Sequence, residues 1–194
     1  MSTAAPTTGR HIVRGGADQA LTALLVGAAA AALVWLRIRL IPVSPATRIA
    51  GLVAIYAAIL AASLLVPSSR RAGSPLLALG VGIAAVCLAT VAAGTPAAFP
   101  YATIALPLSI LGAFAEEALF RRTLYDAVEP RGAAVAVVVS ALLFAAIHVP
   151  LYGVAAFPVD LGAGLLFGWQ RWTAGTWRVP AATHALANVV AILR

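Results

Sequence analysis

Long apolar runs, separated by short polar or proline-containing breaks, form the pattern of this chain. Runs of this length with few charges are typical of helices that enter or cross a membrane. Helices commonly end at proline and glycine, which lie in the breaks at Pro42, Pro67 and Gly132. The pattern predicts an all-α, polytopic integral membrane bundle of about seven to eight transmembrane helices. The runs cover residues 17–36, 49–66, 75–93, 97–128, 133–148, 160–172 and 180–193.

The composition agrees with a membrane protein. Of 194 residues, 62% are hydrophobic and 10% are charged, against about 45–50% and about 25% in soluble domains. We expect residues 1–16 to form a flexible N-terminal tail and residues 17–194 a single membrane-embedded domain. The net charge of +7 comes from arginines scattered between apolar runs. This scatter favours membrane lipid as a partner and argues against nucleic acid, which needs a clustered basic surface.

Two adjacent carboxylates, Glu116 and Glu117, lie near the end of the fourth apolar run. Charged groups in membrane segments are costly and usually face the bundle interior or a water-filled cavity. Arg121 follows Glu117 by four residues, so the two share a helical face and are expected to form an ion pair. Glu116 points roughly 100° away. We therefore expect Glu116 to act in catalysis and Glu117 with Arg121 to support the site.

Two later runs each carry a histidine with a partner four residues away, Phe144 with His148 and His184 with Asn188. A carboxylate and an imidazole can activate water as a general base, and a second histidine with an amide can stabilise an oxyanion. Glu116, His148 and His184 could instead hold zinc with one position open for water. The residues alone leave both routes open. We favour the route without a cofactor, because no fourth metal ligand stands out.

The three motifs, in this order and on apolar helices, resemble those of the CPBP intramembrane proteases. This is the CAAX-processing and bacteriocin-processing group, also called the Abi family. The motifs are Glu116-Glu117-x-x-x-Arg121, Phe144-x-x-x-His148 and His184-x-x-x-Asn188. The resemblance covers a protease-like core at residues 111–188.

The resemblance implies a helical membrane bundle that hydrolyses a peptide bond in a membrane-associated substrate. In the family's eukaryotic members the substrate ends in a prenylated CAAX sequence. By position, Glu116 and His148 would activate the water, His184 and Asn188 would support the oxyanion, and Glu117 and Arg121 would shape the site.

Three functional classes stay open at this point. The first, which we favour, is an intramembrane endopeptidase whose partner is a peptide or a lipidated protein substrate. The others are a non-catalytic immunity or membrane-partner protein and a small transporter that uses the same polar cluster. We expect a multi-pass protein of a bacterial cell membrane, with its N-terminus in the cytoplasm by the positive-inside rule.

Features around the motifs concern local structure. Asp160 opens the sixth run and is expected to be the N-cap of the following helix, although an acid beside apolar sequence also has functional potential. Gly164 and Gly168 form a small-xxx-small pair that lets helices approach closely. Pro150 is expected to stop the fifth helix.

Overall fold

A computed structural model describes residues 16–40, 43–69, 71–92 and 102–193. Every regular element in these residues is helical and none is a strand, which confirms the predicted all-α class. Residues 1–15 of the predicted tail and residues 97–101 of the predicted fourth run lie outside this part of the chain. In chain order the α-helices are α1 (Gly16–Arg39), α2 (Pro45–Leu65), α3 (Pro75–Ala92), α4 (Ala102–Glu117), α5 (Tyr125–Val128), α6 (Ala133–Tyr152), α7 (Phe157–Ala174) and α8 (Arg178–Leu193).

Several helices have the length and composition of membrane spans. Among the described residues, α2, α3 and α6 are long and apolar enough to cross a membrane, and α8 is a shorter apolar helix. Together with the composition, these helices are those of a membrane protein. These three long helices are fewer than the seven to eight spans that the sequence predicts. That number stays a prediction.

The helix starts follow from proline and a local cap. Pro45 and Pro75 each occupy the first helical position, where the missing N–H costs no intrahelical bond. Before Pro45, Ser44 Oγ accepts a hydrogen bond from the backbone N–H of Thr47 at 3.3 Å, as N-cap residues do. Pro67 follows the end of α2 and cannot continue it.

The backbone changes from α-helix to π-helix directly after the two adjacent carboxylates. The residues Ala118–Leu124 form a π-helix, here called the π segment, between α4 and α5. Within it, Thr123 Oγ1 donates to the carbonyl oxygen of Ala118, five residues earlier, at 3.2 Å. Single π turns inside α-helices are frequent at functional sites. The sequence pattern did not predict this change, although three residues of the segment, Arg121, Arg122 and Thr123, are polar.

Close packing of α6 on α7 depends on glycine. A Cβ atom at Gly164 would lie 2.9 Å from Cα of Ala141, and one at Gly168 would lie 3.0 Å from a methyl group of Val137. The small residues therefore allow the close approach that their spacing predicts. This contact fixes α7 beside the helix that carries His148.

The predicted end of the fifth helix is wrong. The helix α6 continues past His148 and through Pro150 to Tyr152. Proline removes one backbone donor, and this close to the helix end the loss does not stop the last turn. Gly153, with φ of 83°, ends the helix in a conformation that favours glycine.

The predicted N-cap role of Asp160 is also wrong. The helix α7 begins at Phe157, Ala156 occupies the cap position, and no side chain caps it. A 3-10 turn, Val154–Ala156, leads directly into the helix. Because Pro158 fits the first turn, the helix starts earlier than the apolar run, and Asp160 lies inside it.

Candidate active site

The predicted motifs meet in one buried polar cluster. Glu116 and Glu117 end α4, His148 lies on α6, and His184 lies on α8. Their exposed fractions lie between 0% and 8%. Each carboxylate has a histidine opposite it, so the cluster consists of two glutamate–histidine pairs.

Glu116 and His148 face each other across a gap. Glu116 Oε2 lies 3.9 Å from His148 Nε2, which is longer than a hydrogen bond. His148 Nδ1 lies 2.7 Å from the carbonyl oxygen of Phe144. Since a carbonyl only accepts, Nδ1 carries the hydrogen and Nε2 of the neutral ring is an acceptor. Both sides of the gap are thus acceptors, which fits a water molecule that donates to each.

Arg37, near the end of α1, binds the other oxygen of Glu116. Its Nη1 lies 3.1 Å from Glu116 Oε1, and its Nη2 lies 3.4 Å from the hydroxyl of Tyr152. The guanidinium also lies 5.8 Å from the centre of the Tyr56 ring. Our reading of the sequence did not identify Arg37 as a site residue. An arginine that follows an apolar run is also expected at a membrane interface. Only its contacts in the folded protein distinguish a site residue from an interface residue.

Glu117 is bound by two partners, Arg121 and His184. Its Oε1 lies 3.1 Å from Arg121 Nη1, and this is the ion pair expected from the four-residue spacing. The same oxygen lies 3.0 Å from His184 Nδ1. We did not predict the contact with His184, which joins residues 67 positions apart. Glu117 and Arg121 are fully buried, so their charges depend on each other.

Phe144 packs between the two pairs. Its ring centre lies 4.6 Å from that of His148 and 5.6 Å from that of His184. The guanidinium of Arg121 lies over the same ring at 4.6 Å, a distance at which cation–π attraction acts. Arg121 Nη2 also donates to the carbonyl oxygen of Gly164 at 3.0 Å. Phe144 therefore separates the histidines and helps to enclose Arg121.

Asn188 lies on α8, four residues after His184, and is partly buried. Its Nδ2 donates to the carbonyl oxygen of Ser109 on α4 at 3.3 Å. This bond ties α8 to the helix that carries both glutamates. The predicted role of Asn188 in oxyanion support stays a prediction.

Asp160 is a third carboxylate that interacts with the residues of the site. It interacts electrostatically with His148, Glu116 and His184. Its Oδ2 is buried, with no hydrogen-bond partner among the described residues. A buried acceptor without a partner is costly, so Asp160 is a functional candidate. The sequence signal was an acid beside an apolar run, and the N-cap interpretation outweighed it.

The zinc alternative has no support from ligand geometry. Among the residues that the structure describes, no three His, Cys, Asp or Glu side chains are grouped so that they could hold one metal ion. His184 Nδ1 bonds to Glu117 instead of facing the gap beside Glu116. The cofactor-free route stays a prediction.

A second polar cluster connects helices that neighbour the site. Asp126 accepts hydrogen bonds from Ser68 Oγ at 2.7 Å and from the backbone N–H of Ser69 at 2.9 Å. Its other oxygen lies 2.6 Å from Arg171 Nη2. Arg171 Nε also donates to the carbonyl oxygen of Arg121 at 2.9 Å. The cluster therefore joins α5 and α7 to the π segment and has a structural role.

An apolar cavity of about 760 Å³ lies between α1, α2 and the π segment. Leu36, one of its lining residues, is adjacent to Arg37, and Leu119, another, lies three residues after Glu116. The cavity therefore begins close to the Glu116 side of the cluster.

The family described as type II CAAX prenyl endopeptidase Rce1-like matches residues 97–190. Over these residues the chain is similar to the CAAX protease family. This Rce1-like region, as residues 97–190 are called here, confirms the resemblance drawn from the three motifs. No curated protein and no solved structure matches the chain significantly.

The Rce1-like region contains both glutamate–histidine pairs, Arg121, Asn188 and Asp160. It does not contain Arg37, which lies on α1. The site of this protein therefore combines residues of a protease family with one contact from outside the matched region.

Proposed function

We propose that the protein is an intramembrane endopeptidase that hydrolyses a peptide bond of a membrane-associated substrate. The match of residues 97–190 to a protease family supports this function. The observation that carries it is the gap of 3.9 Å between Glu116 Oε2 and His148 Nε2. Two acceptors at this spacing can orient one water and take its proton.

In the proposed reaction, water between Glu116 and His148 attacks the carbonyl carbon of the scissile bond. One proton of the water passes to Glu116 as the C–O bond forms. The carbonyl oxygen becomes an oxyanion, and the tetrahedral intermediate then expels the amine as the C–N bond breaks. Glu116 returns its proton to the amine, which balances the step and restores the carboxylate.

Oxyanion support by His184 and Asn188 requires a particular protonation state of the His184 ring. With Glu117 ionised beside Arg121, His184 Nδ1 must donate to the Glu117 carboxylate. His184 Nε2 can then donate to an oxyanion only when the ring carries both protons. In the proposal Glu117 accepts from Nδ1 and so orients His184 for this task.

We propose a lipidated substrate of the prenylated CAAX type. The cavity beside the site supports this substrate, because its lining is nearly all apolar apart from Thr22, Ser63 and Thr123. An isoprenoid chain can occupy such a surface, because hydrocarbon has no polar group that would need a hydrogen-bond partner there. The proposed setting is a bacterial cell membrane, which the chain crosses seven or eight times from a cytoplasmic N-terminus.

The test is peptide cleavage by the purified protein in lipid vesicles, with Glu116→Gln beside the wild type. The substrates are two peptides with the same CAAX-type end, one prenylated and one not. We expect Glu116→Gln to lower kcat/KM by about 10²–10⁴-fold, the usual effect of losing a general base. We also expect the prenylated peptide to have the lower KM.

Glu129→Gln is the matched control, since it makes the same chemical change at a carboxylate paired with the largely exposed Arg71. It should leave both peptides' kinetics unchanged. Equal turnover by Glu116→Gln and the wild type would remove Glu116 as the base. Equal KM values for the two peptides would remove the lipidated substrate.

The proposed route needs no metal, and chelation tests that part. Activity should persist after a strong chelator has stripped the sample, with metal content checked by elemental analysis. Loss of activity on stripping, reversed by added zinc, would contradict the metal-free route.

A further inference from the structure

Arg37 contacts Glu116 on one side of the gap and, on the other, Tyr152, whose ring stacks on His148. Its Nη1 binds Glu116 Oε1 at 3.1 Å. Its Nη2 lies 3.4 Å from the hydroxyl of Tyr152, and the Tyr152 ring is nearly parallel to the His148 ring, at 14° and 5.8 Å between centres. A single guanidinium thus connects to the carboxylate directly and to the imidazole through one aromatic ring.

The contact gives the two carboxylate oxygens of Glu116 different partners. Oε1 is held by Arg37, while Oε2 is the oxygen nearest to His148 Nε2. A glutamate side chain has three rotatable bonds, so without a partner for Oε1 it can turn Oε2 away from the gap. Catalytic groups need their geometry fixed by such supporting contacts.

We propose that Arg37 is a positioning residue, which holds Glu116 so that Oε2 faces His148 across the water position. This inference rests on the proposed peptidase function. It extends the working site to α1, outside the Rce1-like region.

The environment of Arg37 differs from that of a surface ion pair. Its side chain is 16% exposed and that of Glu116 is 6% exposed, so water competes little for the contact. The ring of Tyr56 lies on the guanidinium, which further limits its movement. Arg39, two residues later on the same helix, instead stacks on Trp35 at 5.1 Å. It provides a matched control.

The experiment compares Arg37→Gln, Arg37→Lys and Arg39→Gln with the wild type in the same vesicles and with the same peptides. A misplaced catalytic group costs up to about 100-fold in rate. We therefore expect Arg37→Gln to lower kcat by roughly 10–100-fold with little change in KM. Arg37→Lys keeps a donor and a charge and should recover part of kcat, and Arg39→Gln should match the wild type.

Two kinetic results would overturn the proposal. A rise in KM with kcat unchanged would make Arg37 a substrate-binding residue. An equal loss in Arg37→Gln and Arg39→Gln would reduce the effect to the net charge of α1.

A thermal double-mutant cycle with Arg37→Gln and Glu116→Gln tests the contact without relying on activity. We expect the Tm changes to be non-additive, because the two residues interact directly. Additive changes would also overturn the proposal. If the wild type cleaves no peptide, the proposed function fails, and this cycle alone decides whether Arg37 holds Glu116.

Discussion

Two glutamates that are neighbours in sequence have opposite surroundings. Glu117 is fully buried, and both Arg121 and His184 lie within 3.1 Å of one of its oxygens. Glu116 is held by Arg37 on one side and leaves 3.9 Å to His148 on the other. We call the pair of Glu117 and His184 closed, because its carboxylate and ring are within hydrogen-bond distance. We call the pair of Glu116 and His148 open, because a gap separates them.

The difference follows from helix geometry and gives each pair a different purpose. Successive residues point roughly 100° apart, so the two carboxylates meet different helices, α8 for Glu117 and α6 for Glu116. A closed pair compensates buried charge and orders the bundle. An open pair leaves room for a reactant. The three predictions below test this division, starting with the largest effect.

Glu117→Ala should have the largest effect on the fold. It removes the carboxylate that compensates Arg121, a fully buried cation, and breaking such a pair costs about 3–5 kcal/mol. Chemical denaturation of the protein in detergent micelles measures the free energy of unfolding. Glu116→Gln, measured in parallel, should lose much less. Equal losses in the two variants would show that the closed and open pairs do not differ.

His184→Ala and His148→Ala should separate stability from turnover. His184→Ala removes a hydrogen bond to a buried carboxylate, worth about 1.5–3 kcal/mol, and should lower the free energy of unfolding by that amount. His148→Ala removes a bond to the Phe144 carbonyl oxygen, worth about 1 kcal/mol. It should nevertheless lower kcat by about 10²–10⁴-fold. A larger loss of stability in His148→Ala than in His184→Ala would reverse our assignment of the two pairs.

Glu129→Gln should have the smallest effect. Glu129 is 15% exposed, but its partner Arg71 is 59% exposed and so open to water, and ion pairs that water can reach contribute about 0–1 kcal/mol. The midpoint of thermal unfolding should move little, and raising the salt concentration should move the wild-type midpoint towards that of the variant. A loss comparable to that of Glu117→Ala would mean that burial does not govern these pairs.

Local relationships were the part of the structure that the sequence could predict. The ion pair between Glu117 and Arg121 depends on four-residue spacing within one helix. The all-helical class and the close approach at Gly164 and Gly168 depend on hydrophobic pattern and residue size. Such features need no knowledge of how distant segments pack.

Long-range partners could not be read in the same way. Glu116 and Arg37 are 79 positions apart, and Glu117 and His184 are 67 positions apart. Spacing shows which residues share a helical face, but it does not show which helix that face meets. The start of α7 was mistaken because the apolar run begins after the helix does, which concealed the position of Asp160.

The π segment holds one residue more than an α-helix of the same total turn would hold. A one-residue deletion within Ala118–Leu124 would let the segment relax to an ordinary α-helix. Because the lost residue and the tighter turn offset each other, the residues after the deletion would keep roughly their present direction relative to the glutamates. Asp126 would still point towards Arg171, whereas the same deletion in a regular α-helix would turn it away by roughly 100°. Relatives that lack one residue here could therefore keep the same angle between the same helices.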